Sequence, residues 1–184
     1  MNMFISAEGL ERANAVLKHI KGAFPRAVAS TTNRVLEGMR TDAVAETKGR
    51  YFAKPSDIRK TITLKKANAG NLTGAMVSRG ARKTLADYQL LPKSPKKSMK
   101  GLQGAVKTDG LKNIYSGFLV RRGGKYKPYI RTGSGKWGIQ SINSPAIPQI
   151  LKNEETIAFL EKKASERFEK RIDHEVIRLL GLLP

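Results

Sequence analysis

His19 and His174 are the only imidazoles in the chain, and cysteine is absent. His174 stands between Asp173 and Glu175, which sets two carboxylates beside an imidazole along the sequence. Neighbouring positions on a helix point about 100° apart, so these three side chains do not converge on one proton-transfer site. Both histidines are read as parts of solvated helix faces. The sequence holds no HExxH, no metal-spaced histidine cluster and no Gly-x-Ser-x-Gly elbow. Lack of cysteine excludes a disulfide scaffold, a thiol nucleophile and Cys-ligated zinc or iron–sulfur sites. One literal match to a cofactor motif remains: Gly133-Ser134-Gly135-Lys136-Trp137-Gly138 fits G-x-G-x-x-G. That fingerprint binds a dinucleotide only where it follows a strand and opens a helix. Here Ile139-Gln140-Ser141-Ile142-Asn143-Ser144-Pro145 follows, which reads as a strand and a turn. The string is therefore expected to be a glycine-rich hairpin tip. No catalytic residue, metal site or cofactor is expected.

The chemistry the sequence does offer is neutralisation of an acidic partner. Its 184 residues carry 35 Lys+Arg against 15 Asp+Glu, a formal net charge of +20. Residues 54–136 hold 20 basic groups against Asp57, Asp87 and Asp109, a net of +17, while 1–53 carry +3 and 137–184 balance to zero. Charge concentrated in this way marks a surface that meets something negative. The candidates are Lys93, Lys96, Lys97, Lys100 and Lys107, with Arg121, Arg122, Lys125 and Lys127 near the following hairpin. Phosphate neutralisation needs such groups within reach of a backbone and does not need a tidy motif. Tyr126, Tyr129 and Trp137 interleave with them as stacking groups. No helix-turn-helix, zinc-finger or RNA-recognition signature supports a sequence-specific reader. A basic protein that binds nucleic acid without sequence preference is one reading of this charge.

These residues must be carried by a scaffold, and its outline is legible. Hydrophobic residues make up 40% of the chain, enough for a core, and the length suits a single domain over 1–184. Residues 1–53 read as helical. A first helix runs from about Ala7 to Lys21, with Leu10, Ala13, Leu17 and Ile20 on one stripe and Gly22 as its cap. Pro25 opens a second, whose stripe is Val28, Thr32, Val35, Leu36, Met39 and Ala43, fading near Arg50. Residues 54–142 read as a basic, strand-rich middle. Ser56-Asp57 starts a helical turn, and Thr61–Lys65 and Leu72–Ser78 form a hairpin about Asn68–Asn71. Tyr88–Leu91, Gly104–Lys107, Phe118–Arg122 and Tyr126–Arg131 are further strands. Pro92 and Pro95 with four lysines place an exposed flexible loop at about 92–103. Residues 143–152 form a stiff corner, because Pro145 and Pro148 fix two backbone angles. A long amphipathic helix spans 153–181: Asn153 caps it, Glu154 and Glu155 suit its N-terminal dipole, and Ile157, Leu160, Ala164, Phe168, Ile172, Val176 and Leu179 form its stripe. The expected class is α+β, a mostly antiparallel sheet with N-terminal helices and a long C-terminal amphipathic helix. No signal peptide and no membrane span is expected.

The segment Ser144-Pro145-Ala146-Ile147-Pro148-Gln149-Ile150-Leu151 resembles the small-Pro-Ser-Val-Pro-Gln-Met motif of the minor tail protein Z family of long-tailed bacteriophages, the tail completion proteins. Ala146 stands where that pattern has Ser. Other parts agree in order: Gly9-Leu10-Glu11-Arg12-Ala13, then Thr32-Asn33-Arg34, then Tyr51-Phe52-Ala53-Lys54-Pro55-Ser56-Asp57-Ile58 leading into the first strand, then Tyr115-Ser116-Gly117-Phe118 before a Gly-rich hairpin. The long lysine loop is a second departure. The resemblance implies a structural virion protein without an enzymatic site. It would complete the head-proximal end of the tail for head joining and DNA passage, after assembly in the host cytoplasm. Implied partners are other tail and neck proteins and further copies in a ring, with the basic middle facing DNA in the tail channel or acidic neighbours. Pro145, Pro148 and Gln149 would form an assembly corner.

Overall fold

The computed structural model describes residues 7–97, 100–133 and 138–181. Its helices are α1 (Ala7–Leu17), α2 (Ala23–Arg50), α3 (Pro55–Thr61), α4 (Ile147–Leu151) and α5 (Glu154–Leu179). Its strands are β1 (Ile62–Lys65), β2 (Ala75–Ser78), β3 (Lys83–Thr84), β4 (Gln89–Leu91), β5 (Leu102–Ala105), β6 (Lys112–Ile114), β7 (Gly117–Arg122), β8 (Lys125–Arg131), β9 (Ile139–Ser141) and β10 (Asn143–Ser144), with a 3-10 turn at Leu85–Asp87. The class is α+β, as the sequence predicts, and each strand pairing among the described residues is antiparallel. The strands make four small sheets rather than one: β1–β2, β3–β10, β4–β5–β6 and β7–β8–β9. Strands of two to seven residues between Gly-, Pro- and Asn-rich connections are too short to run on into a common sheet.

The chain forms two compact units: Met1–Val44 with Ile62–Ser78 and Lys152–Pro184, and Ala45–Thr61 with Arg79–Leu151. In the first unit, α1 buries Ala13 and Leu17. It ends at Leu17 rather than near Lys21, so Ile20 lies in the following turn and is exposed. Gly22 then adopts φ +71°, the left-handed conformation that reverses the chain cheaply only for glycine. Helix α2 buries the predicted Val28, Thr32, Val35, Leu36, Met39 and Ala43. The Asn33 amide grips Ala67 at both ends, accepting from its N–H at 2.8 Å and donating to its carbonyl at 2.9 Å, which fixes β1–β2 on α2. Asn153 caps α5 by accepting the Glu155 N–H at 3.2 Å. Leu160, Ala164, Phe168, Ile172 and Val176 of that helix are buried and form core, each large side chain worth about 1.5–3 kcal/mol. Arg167 of α5 donates to both oxygens of Asp42 on α2, at 2.7 and 3.3 Å, and passes so close over Gly38 that any Cβ there would collide with it.

In the second unit a cluster of Leu85, Leu90 and Leu102 is covered by Val106, Ile114, Leu119 and Ile142. Leu102 explains where the expected loop of 92–103 stops. Its side chain is core, so β5 begins there and the exposed segment ends at Gly101. Gly101 has φ +126°, and a Cβ on it would sit 2.7 Å from the Ile114 carbonyl oxygen. Strand β6 and the two-residue pair β3–β10 have no apolar alternation and escaped the sequence reading. Gly123 and Gly124 both take positive φ, 58° and 76°, which closes the tight β7–β8 hairpin with a twist matching its strands. The Pro-rich segment, expected as a stiff corner, consists of the end of strand β10 followed by helix α4.

Candidate polyanion-facing surface and proline segment

The β7–β8 register decides which cations act together. Arg122 pairs with Lys125, Val120 with Lys127, and Phe118 with Tyr129, so these side chains share one face of the ladder. Arg131 lies two residues beyond Tyr129 on that face. Arg121 pairs with Tyr126 and belongs to the opposite face, with Leu119, which packs on the leucine cluster. Sequence reasoning grouped Arg121 with Arg122 and omitted Arg131. The alternation of strand side chains corrects both.

The two arginines of this face are held in place. The guanidinium of Arg122 lies 5.5 Å from the Tyr129 ring centroid, and that of Arg131 lies 5.5 Å from Phe118. Tyr129 is also buried. Its ring face is therefore occupied, and it does not offer a platform for a nucleobase. Tyr126 is partly exposed, and Trp137 lies outside the described residues, as do Ser134 to Lys136. Beyond that segment comes β9, with Thr132 donating to the Gly138 carbonyl at 2.9 Å, so the glycine-rich string joins two strands and opens no helix.

Lys125 and Lys127 also line a cleft of about 550 Å³ with Lys54, Arg82, Tyr126 and two carboxylates. Both carboxylates are engaged elsewhere. Asp57 pairs with Lys83 at 3.7 Å, and Asp87 accepts from the Thr84 N–H and hydroxyl at 2.8 and 3.0 Å. Lys93, Lys96, Lys97 and Lys100 are exposed on the segment after β4, and Lys107 is exposed after β5. Lys96 and Lys100 border a separate cleft of about 480 Å³ that includes the highly exposed Tyr115. None of the nine predicted cations has an ion pair with a carboxylate among the described residues.

The proline segment is organised by Gln149. Its side-chain oxygen accepts the Ala146 N–H at 2.8 Å, while its own N–H donates to the Ala146 carbonyl at 2.9 Å. This is one half of a capping box, in which the third helical residue reaches back to the cap. The other half would need a hydroxyl at Ala146. Pro148 occupies the second helical position, where a missing N–H costs nothing. Pro145 is exposed, and its carbonyl accepts the Tyr88 hydroxyl at 2.7 Å. Burial, reinforced by the neighbouring Asp87 and Tyr51, pushes the Tyr88 phenol up to about 12.

His174 lines an open cleft of about 420 Å³ with Lys163, Glu166, Arg167, Lys170 and Arg171. His19 and His174 are exposed, and the carboxylate beside His174 is turned away from it into the core. Glu175 is 1% exposed and accepts from Arg171 at 2.8 Å and Arg178 at 2.9 Å. Burial alone would raise its pKa. The Arg178 hydrogen bond, the charges of both arginines and a hydrogen bond from Ser30 outweigh burial and hold the carboxyl below its usual range. No group of three or more potential ligands among the described residues could hold a metal ion. No helix among them is long and apolar enough to cross a membrane.

An α+β chain whose distinguishing surface is a set of acid-free cations is built to engage other macromolecules. Comparison with protein families identifies it further: the family model for prophage minor tail protein Z matches residues 7–183, nearly the whole chain. The chain belongs to that family and is a structural protein of a phage tail. It accordingly belongs to the virion and interacts with other tail proteins. No match was found among curated proteins or solved structures.

Proposed function

We propose that this protein completes the head-proximal end of the tail and makes it competent to join a DNA-filled head. The observation that carries the reading is the family match across residues 7–183. Copies form a ring around the tail axis, and the cationic second unit faces the DNA path or acidic neck proteins. The +17 carried by residues 54–136 supports that orientation, since a ring lined with acid-free cations attracts a polyanion to its axis. Pro145, Pro148 and Gln149 present a stiffened segment to a neighbouring subunit. Tails assembled without the protein, mixed with filled heads and counted by negative-stain microscopy, test the role. Unjoined heads and tails are expected, with joining restored by purified protein. Normal joining without it would remove the completion role, and a ring with these lysines on its outer rim would remove the proposed orientation.

A further inference from the structure

The basic segment could meet DNA or an acidic protein, and the local geometry separates the two. The β7–β8 face and the adjoining cleft bring together Lys54, Arg82, Arg122, Lys125, Lys127 and Arg131. Among the described residues two carboxylates line the cleft: Asp57 pairs with Lys83, and Asp87, held by the neutral Thr84, keeps its charge, so Lys54, Arg82, Lys125 and Lys127 outnumber them and none forms an ion pair with either. Tyr126, 37% exposed, is the single aromatic lining the cleft among the described residues. Protein–protein interfaces are depleted in lysine and rely on buried aromatic and aliphatic anchors, whereas a phosphodiester backbone asks mainly for Lys and Arg. The composition therefore suits a nucleic acid. The rings of the β7–β8 face bear on strandedness, although Tyr126 in the cleft is not covered. Single strands bind by stacking bases on free aromatic faces. Here Arg122 covers Tyr129 and Arg131 covers Phe118, so these rings steady guanidiniums in place of stacking bases. A planar guanidinium fixed on a ring keeps its outer N–H groups available for two phosphate oxygens.

We propose that this face and cleft are a seat for the phosphate backbone of duplex DNA, bound without sequence preference, and that the loop lysines are peripheral to it. The proposal deepens the reading above, which left the anionic partner open, by naming the partner and the residues. Two variants of equal charge loss test it in the full-length protein. One carries Lys54→Gln, Arg82→Gln, Lys125→Gln and Lys127→Gln. The other carries Lys93→Gln, Lys96→Gln, Lys97→Gln and Lys100→Gln. Binding to a fluorescent duplex of random sequence is measured across a salt series. Each lost phosphate contact removes about 0.9 from the slope of log affinity against log salt, so the first variant loses up to about 3.6. At about 0.1 M salt that corresponds to a loss on the order of 10³-fold. The loop variant should stay within about tenfold of the parent.

Lysine acetylation of the unmodified protein, with and without duplex, gives a readout that does not depend on the folding of a variant. Lys54, Lys125 and Lys127 should be protected and the loop lysines should not. Equal losses in the two variants, or protection confined to the loop, would overturn the seat. Polyglutamate displacing the protein as well as duplex at equal charge would overturn the assignment to DNA. Head–tail joining is scored separately. A seat variant that joins heads yet fails to bind duplex upholds the seat, whereas normal joining of tails lacking the protein counts against the completion role alone.

Discussion

Replacing Glu175 by Gln isolates one electrostatic element of the first unit. Gln keeps the shape of the side chain and most of its hydrogen-bonding reach, so the change removes charge and leaves no cavity. Arg171 donates to one oxygen at 2.8 Å and Arg178 to the other at 2.9 Å, so in Gln one of these charge-assisted hydrogen bonds becomes an ordinary one and the other, facing the amide N–H2 donor, is lost. Each change costs about 1 kcal/mol or more. The Arg171 and Arg178 side chains are 31% and 50% exposed, so both can turn to water when the carboxylate goes, which caps the loss. The expected destabilisation is about 2 kcal/mol at pH 7, or roughly 4–8 °C in melting temperature for a chain of this size. Helicity followed by circular dichroism on heating measures it, and Glu169→Gln is the control. That residue is exposed on the same helix, and its substitution makes the same charge change for less than about 0.5 kcal/mol. The pH dependence has a definite sign. The folded carboxyl sits below its unfolded value of about 4.3, so its stabilisation is fully present above that pH and disappears as pH falls through the lowered folded value. The gap between parent and variant should therefore close in strong acid. A gap of zero at pH 7, or one equally large in acid and at neutrality, would refute the claim that the buried charge is stabilising.

Three further outcomes follow from the second unit. Ala146→Ser should supply the missing half of the capping box with Gln149 and raise stability by roughly 1 kcal/mol, seen as a higher melting temperature. Tyr88→Phe removes the hydrogen bond to the Pro145 carbonyl and should cost about 1 kcal/mol in urea denaturation. Because the Tyr88 phenol is raised, its contribution is complete below the usual value near 10 and is lost as pH climbs through about 12, so spectrophotometric titration should show one tyrosine ionising late and disappearing in the variant. Gly101→Ala forces a φ of +126° on an L side chain and drives its Cβ to 2.7 Å from the Ile114 carbonyl oxygen, so a loss of about 2 kcal/mol is expected, together with faster proteolysis of the lysine-rich segment.

The helices were readable because their signals are local. A stripe at three- and four-residue spacing from Leu160 to Val176 can bury itself in only one way, and Asn153 and Pro25 mark first turns through their own backbone chemistry, whereas Gly22, expected to cap the first helix, lies five residues beyond its end at Leu17. The Gly123-Gly124 hairpin was legible for the same reason, since two positive φ angles admit few residue types. The misses also have physical causes. Lys112–Ile114 became a strand because Leu102 needed a covered core position and β5 a second partner, not because its residues favour extension. Helix α4 was obscured by two prolines that read as the fixed angles of a corner, although Pro148 falls where a helix tolerates one. Glu175 looked like a solvated neighbour of His174. Its burial emerges only when Arg171 and Arg178, one turn to either side, fold over it and Ser30 closes from α2.

The sequence by itself determined the α+β class, the family, the concentration of positive charge in residues 54–136 and the poverty of groups for catalysis, because composition, order and periodicity are properties of the chain. Only the tertiary structure decided which cations stand together. Side-chain alternation along a paired strand sent Arg121 to one face and Arg122 to the other and put Arg131 on the same face as Lys125 and Lys127, while closure of the unit set Lys125 and Lys127 against Lys54 and Arg82, some forty to seventy residues earlier in the chain. Linear charge density fixes how strongly a segment attracts a polyanion, but strand register and closure of the unit fix where the polyanion can lie.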